Sequence, residues 1–314
     1  MAWPARFFPW RAAGGPKIRV AVVGNCQARP MAALLSLMNP GIEVSTVAVV
    51  HLLRDEEEAA YAPLFREADF ILSQHVADTY PCAFVRTSEL RQRYGSKLLL
   101  WLNLYFRGYN PELFVLRMDG RTPLRGPLGD YHCRAFFEGW QQGLPVREIL
   151  ARHGDPEYNR ERYAAVPEAS LAELQRREEL TQTRILPVLR DLVWKQRLFF
   201  TFNHPSWALL EMLAASLLEL MGLSAAPRRS LRGSEPLGMI RIPLNPWVRQ
   251  AHDLKFPEDG TWTGLKVRNI GPGTVTVGKR KVYAPEDLVR QFFAVYDAHR
   301  AALQDRQTGE AAVT

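Results

Sequence analysis

The chain is poor in cysteine. It has three, Cys26, Cys82 and Cys133, an odd number with no Cys-x-x-Cys pair. That excludes a disulfide framework and a zinc-site pattern, and it fits a reducing compartment. Long apolar runs are also missing. The longest, Trp207 to Leu223, is interrupted by Glu211 and Glu219. A bilayer span needs about 20 mostly uncharged residues, so this stretch reads as a buried helix. No GxGxxG follows the first strand-like segment, because after Gly24 the next glycine is Gly41. There is no P-loop and no His-Glu-x-x-His. Dinucleotide-dependent oxidoreductases and NTPases drop out, and no metal is expected.

What is present is the balance of a soluble globular protein: 314 residues, 47% hydrophobic and 23% charged, enough to bury a core. The net charge of +7 is unevenly placed. Residues 1–30 carry five basic and no acidic side chains, and residues 224–314 carry 14 basic against 9 acidic. The segment between them is slightly acidic. Basic excess at both ends suggests an anionic partner. No nucleic-acid-binding motif is recognisable, so nucleic acid is not the expected one. Arg6 and Arg11 break up the aromatic N-terminus, so it does not read as a secretory signal. Residues 1–16 read as a loose arm suited to peripheral contact with a membrane surface, and the protein as cytoplasmic. Oligomeric state is not legible.

Lys17 to Gly24 is a β-branched run ending in glycine, the form of a strand buried on both faces. Helix is expected over 27–38, strand over 42–50, helix over 55–68, strand over 70–76, a short helix over 88–94 and strand over 97–105. This alternation predicts an α/β fold with a parallel sheet and helices on both faces. An insertion at about 110–195 follows, helical from 130 onward, with one long helix over 170–195. Residues 198–203 read as a returning strand, 207–221 as the apolar helix, and 285–299 as a closing helix. Between them, about 224–300 forms a small basic lobe rich in Pro and Gly, with strands at 274–277 and 280–283. The organisation expected is one α/β catalytic domain over 17–300 and a flexible tail over 301–314.

In a parallel sheet, ligands bind at the carboxyl ends of strands, where helix N-termini offer backbone N–H groups. The first strand ends in Gly24-Asn25-Cys26-Gln27, with a helix starting at once. Cys26 then sits where a thiol pKa is lowered. Gly24 allows a sharp turn, and the N–H groups of Cys26 and Gln27 face a developing oxyanion. The alternative is a buried structural cysteine. A nucleophilic cysteine needs a base, and His204 qualifies best: it follows the strand LFFTFN at the same sheet edge as Cys26. His75 and His132 are weaker candidates.

These blocks resemble a known family. VVGNCQARPMAALL, FILSQHV, YFRGYNPEL, GPLGDYHCRAFFEGW and FTFNHPSWALL, in this order over roughly residues 18–222, resemble the WcbI-type polysaccharide-biosynthesis acetyltransferases. The resemblance implies a three-layer α/β/α sandwich related to the SGNH hydrolases. It also implies an O-acetyltransferase that uses coenzyme A as acetyl-CoA, acting on a sugar or polysaccharide precursor in capsular or extracellular polysaccharide synthesis. Carried over, Cys26 takes the position of the SGNH nucleophile and His204 that of the base. Gln74 becomes an oxyanion donor, with Asn103 a weaker one. The SGNH aspartate three residues before the histidine is Thr201 here. Asn203 is a poor orienter, because neighbours on a strand point to opposite faces. A backbone carbonyl holding the imidazole is therefore expected.

Coenzyme A brings a 3′-phosphate and a pyrophosphate. Arg29, Arg107 and Arg125 are candidate partners near the core, and Lys266, Arg268, Lys279, Arg280 and Lys281 in the last lobe. The run GKRK also reads as a solvated hairpin tip. Gly24, Asn25 and Gln27 line the donor site on this reading, with Tyr109, Tyr131 and His132 lining the pantetheine or acceptor pocket. Two other functions fit the residues: an SGNH-like esterase or thioesterase on the same site, and a non-catalytic glycan- or anion-binding protein.

Overall fold

The computed structural model describes residues 17–118, 122–225, 235–258 and 260–303. The expected arm at 1–16 and most of the expected tail lie outside them. The chain divides into two compact units, each drawn from separate stretches. One comprises Met1–Leu104, Ala172–Leu192 and Pro205–Pro236; the other comprises Tyr105–Leu171, Val193–His204 and Leu237–Thr314.

The first unit is built on a parallel sheet. Its elements are β1 (Ile18–Gly24), α1 (Ala28–Met38), β2 (Ile42–Val49), α2 (Glu58–Glu67), β3 (Phe70–Gln74), α3 (Thr87–Tyr94) and β4 (Leu98–Trp101). The strands lie in the order β2-β1-β3-β4, all parallel. β1 reads Val-Ala-Val-Val at its centre, all completely buried. Alternation turns Ala21 and Val23 into one cluster with Ile71, with Phe65 of α2 and with Leu90 of α3. Val20 and Val22 point to the opposite face and are equally buried, which is why the run is apolar throughout. The order places the switch in chain direction between β1 and β3, whose carboxyl ends flank the crevice where open sheets bind ligands.

The expected helix over 170–195 is broken: α7 (Val166–Glu179) and α8 (Leu186–Leu192) are separated by a turn. Glu178 bridges the break. Its carboxylate accepts from the backbone N–H groups of Ile185 and Leu186 at 2.7 and 2.9 Å, capping the second helix. The apolar helix is α9 (Trp207–Leu220), started by Ser206, whose Oγ accepts from Leu209 N.

In the second unit, β5 (Leu113–Val115) pairs antiparallel with β6 (Tyr131–Cys133), and helices α4 (Arg134–Gln141), α5 (Val146–Gly154) and α6 (Pro156–Tyr163) follow. Further elements are β7 (Phe199–Thr201), which leads to β8 (His204–Pro205), then α10 (Pro246–Ala251), β9 (Trp262–Gly271), β10 (Thr274–Tyr283), α11 (Pro285–Ala298) and α12 (Arg300–Leu303). Insertion and C-terminal residues, read separately in the sequence, share one core: Phe136, Phe137 and Trp140 pack with Trp262, Phe292 and Tyr296. The two expected short strands at 274–277 and 280–283 are one strand. The bulge at Gly278-Lys279 interrupts its pairing with β9, which the sequence reading missed. β7 pairs with β8 and is not a strand of the parallel sheet. Its hydrogen-bonding partner is the segment that follows it in sequence, and this overturns the expectation that His204 ends a strand of that sheet.

No helix among the described residues is long and apolar enough to cross a membrane.

Candidate functional site

The loop after β1 is pinned from three sides within the first unit. β1 and β3 run in register, with Val23 opposite Ser73, so Gln74 arrives beside Gly24. Gln74 Oε1 accepts from Asn25 N at 2.8 Å, and Gln74 Nε2 donates to Gln27 Oε1 at 3.1 Å. Gln27 is completely buried; its Nε2 donates to Leu104 O at 2.7 Å and its Oε1 accepts from Leu104 N at 3.2 Å. Asn25 Nδ2 donates to Asn103 Oδ1 at 3.1 Å, and Asn25 Oδ1 accepts from Gln27 N at 2.9 Å. Gly24, Asn25, Cys26, Gln27, Gln74 and Asn103 thus form one constellation at the carboxyl ends of β1 and β3.

The chain turns directly after Gly24, and it does so without a left-handed φ. Gly24 is a glycine because a Cβ would lie 2.9 Å from Gln74 Oε1 and 3.0 Å from Trp101 Cζ2. The Gln27 N–H is spent on Asn25, so it is not the open donor that a helix N-terminus suggests. Gln74, expected to donate to an oxyanion, uses both ends of its amide to hold the loop.

Cys26 itself is half-buried, whereas Cys82 is 3% exposed and Cys133 fully buried. Burial pushes the Cys26 thiol up to about 11, offset in part by its own backbone N–H. The expected lowering is reversed because desolvation disfavours the thiolate more than its own backbone N–H favours it.

His204 belongs to a second constellation, in the other unit. Its Nε2 lies 3.1 Å from the Tyr131 hydroxyl, which donates to Asn203 Oδ1 at 2.6 Å. Thr201 Oγ1 donates to the same oxygen at 3.3 Å. The imidazole is therefore held by a phenol, where the sequence led us to expect a backbone carbonyl. Asn203 takes part after all, because β7 ends at Thr201 and strand alternation no longer governs residue 203. Burial lowers the His204 pKa to about 4, so the ring is neutral near pH 7. Its Nδ1 is screened from solvent and has no hydrogen-bond partner among the described residues.

Other candidates fall elsewhere. His132 is completely buried, with Nε2 2.8 Å from Leu124 O and Nδ1 2.9 Å from the Tyr296 hydroxyl. Both nitrogens are satisfied in the core, so it lines no pocket. Tyr109 is likewise buried, its hydroxyl on Val193 O and Gln196 O. Arg107 is turned onto the chain: Nη2 donates to Pro111 O at 3.0 Å, and its charge favours the buried Glu112 carboxylate. Arg125 faces Asp130 at 3.7 Å. Arg29, Lys266, Arg268, Lys279, Arg280 and Lys281 are exposed. The last three lie within β10 and not at a hairpin tip. His75 is exposed.

Sequence reasoning missed the role of Asn203 and named Tyr131 for a different one. The only available signal was the polar pair Asn203-His204 closing an apolar strand.

Comparison with known proteins gives a family and a fold. Residues 19–226 match the model of the family described as polysaccharide biosynthesis enzyme WcbI. Among curated proteins, none matches the chain. A solved structure of native WcbI is described as a novel polysaccharide biosynthesis enzyme, without the disulfide bond between coenzyme A and a cysteine of that protein. It matches with a TM-score of 0.67 at 18% identity, over 91% of this chain and 99% of that one. At that identity the likeness speaks for the fold. Since the family model spans well over half of its length, the chain belongs to the WcbI family of polysaccharide biosynthesis enzymes.

Proposed function

We propose that this enzyme is a coenzyme-A-dependent O-acetyltransferase that moves an acetyl group from acetyl-CoA to a sugar hydroxyl, with Cys26 as nucleophile and His204 as base. The observation that carries the reading is the setting of Cys26. It follows β1 directly at the switch point of the parallel sheet, in a loop fixed by Gln74, Gln27 and Asn103, and it is the one cysteine of three with partial exposure. The description of the related WcbI structure pairs coenzyme A with a cysteine. Cys82 and Cys133 are too buried to meet a ligand, which leaves Cys26 for that part here.

In the first step the Cys26 thiol loses its proton to a base and attacks the thioester carbonyl. The C–S bond to coenzyme A breaks, and the departing thiolate takes up a proton. In the second step a sugar hydroxyl gives its proton to His204 as its oxygen attacks the acyl-cysteine, and Cys26 leaves as the thiolate that regains that proton. A neutral thiol and a neutral imidazole are the resting forms, given their shifts. The exposed Arg29, Lys279 and Arg280 are the cations available to the phosphates of the donor. Asn103, held through Oδ1 by Asn25, has its amide N–H groups to offer an oxyanion. The reading sets the reaction in the cytoplasm, where thiols stay reduced.

The test is acetyl transfer from acetyl-CoA carrying a labelled acetyl group, with and without sugar acceptors. Coenzyme A release that depends on acceptor, with label recovered in the sugar, supports the transferase. Release at the same rate without acceptor, with label in free acetate, makes the site a thioesterase instead.

A further inference from the structure

We infer that Tyr131 and Asn203 are positioning residues that fix His204 as the Nε2–H tautomer, so that Nδ1 is the nitrogen that accepts a proton. The significance for catalysis rests on the acetyltransferase reading; the tautomer itself does not.

A phenol has one proton to give. The 2.6 Å contact from the Tyr131 hydroxyl to Asn203 Oδ1 is donated by the phenol, because an amide oxygen only accepts. That leaves the phenol oxygen as the acceptor in its 3.1 Å contact with His204 Nε2. Tyr131 therefore donates to Asn203 and accepts from His204. Thr201 Oγ1 donates to the same amide oxygen at 3.3 Å. With its proton on Nε2, the imidazole carries its lone pair on Nδ1, the buried nitrogen without a partner among the described residues.

Both orienting side chains are themselves held. Tyr131 sits in β6, opposite Val115 of β5, and is only 5% exposed. Its ring stands edge-on to Phe202, centroids 4.9 Å apart, and to His204, centroids 5.5 Å apart. Phe202 packs in turn on Tyr105 at 5.0 Å. A phenol fixed by a strand pairing and an aromatic cluster gives the imidazole one orientation, which a flexible partner would not. The arrangement differs from the familiar hydrolase triad, in which a carboxylate holds Nδ1–H and Nε2 is the base. Here the roles of the two nitrogens are exchanged and the orienter is uncharged. An uncharged orienter does not raise the basicity of the ring, in keeping with the low His204 pKa.

The experiment is nitrogen NMR on protein labelled at histidine, with the His204 resonances assigned by their loss in His204→Gln. The wild type is expected to show a protonated, pyrrole-like Nε2 and a pyridine-like Nδ1 at neutral pH. Asn203→Asp keeps the acceptor and should keep this tautomer. Asn203→Leu removes it, so the phenol proton turns to His204 Nε2 and the tautomer switches. Tyr131→Phe should leave a mixture. In the transfer assay, Tyr131→Phe should lower kcat by about 10- to 100-fold with KM nearly unchanged, the loss usual when an orienting partner is removed. A wild-type His204 protonated on Nδ1 would overturn the proposal, and so would a tautomer that neither Tyr131→Phe nor Asn203→Leu moves. If the tautomers behave as expected while no acceptor is acetylated, the positioning stands and the acetyltransferase reading fails.

Discussion

The Tyr131 hydroxyl lies 3.1 Å from His204 Nε2 and hands its own proton to Asn203, 2.6 Å away. A base candidate is thereby oriented by a neutral group, in surroundings that hold its pKa at about 4. The consequence is kinetic. Between pH 5 and 9, kcat/KM should show no inflection near 6.5, the ordinary histidine value, because His204 stays unprotonated throughout. The rate should fall only as the pH approaches 4. A pH–rate profile with a limb near 6.5 would contradict this.

Cys26→Ser should fold normally, since the half-buried side chain takes part in none of the hydrogen bonds that pin its loop. The hydroxyl is a far weaker nucleophile than the thiol, and transfer should drop by at least about 100-fold, the scale of losing a reacting group. Thermal unfolding checks the first point and the transfer assay the second. Near-normal activity would remove the covalent mechanism.

Gly24→Ala should damage the site without touching its chemistry. The new Cβ would lie 2.9 Å from Gln74 Oε1 and 3.0 Å from Trp101, both packed at the carboxyl ends of β3 and β4. Overpacking of this kind costs about 1–3 kcal/mol, and Gln74 must move from Asn25 N. Denaturant titration should show the loss, and transfer should fall with it. An Ala variant as stable and active as the wild type would contradict the close approach.

Stability should decline on the acid side. His132, His153 and His204 are each held at about 4 by burial, against 6.5 when unfolded. The unfolded chain therefore binds more protons between those values, and stability is complete above 6.5 and lost as the pH falls toward 4. Glu112 works the other way. Burial raises its pKa from 4.5 to about 7, so the folded state favours the protonated form, and its contribution fades as the pH rises through 7. Glu112→Gln imitates that protonated form and keeps an acceptor for Asn245 Nδ2, 3.0 Å from the carboxylate. The variant should gain melting temperature relative to wild type at pH 8 and lose that gain at pH 5. Equal shifts at both pH values would contradict it.

The parallel half of the fold was readable because its residues answer to local rules. Val20 to Val23 demand burial on both faces, and α1 with its Asn39-Pro40-Gly41 stop follows from spacing and turn chemistry. The placement of Cys26 after β1 was readable for the same reason. Its ionisation was not, because a helix start is visible in sequence and the packing that desolvates the thiol is not. The strand before His204 was legible as a strand, but its partner was not: β7 is three residues long and pairs locally. The support of His204 depends on Tyr131, 73 residues earlier, and no periodicity links the two. His132 shows the converse. Its sequence neighbourhood suggested a site, while the bonds to Leu124 and Tyr296 that make it a core residue come from distant or irregular segments.

Calorimetric titration of coenzyme A into the purified protein, at low and at high salt, tests the central claim most directly. The account predicts micromolar binding that weakens as salt rises, the behaviour of phosphates held by exposed Arg and Lys. No heat of binding at either salt would contradict it.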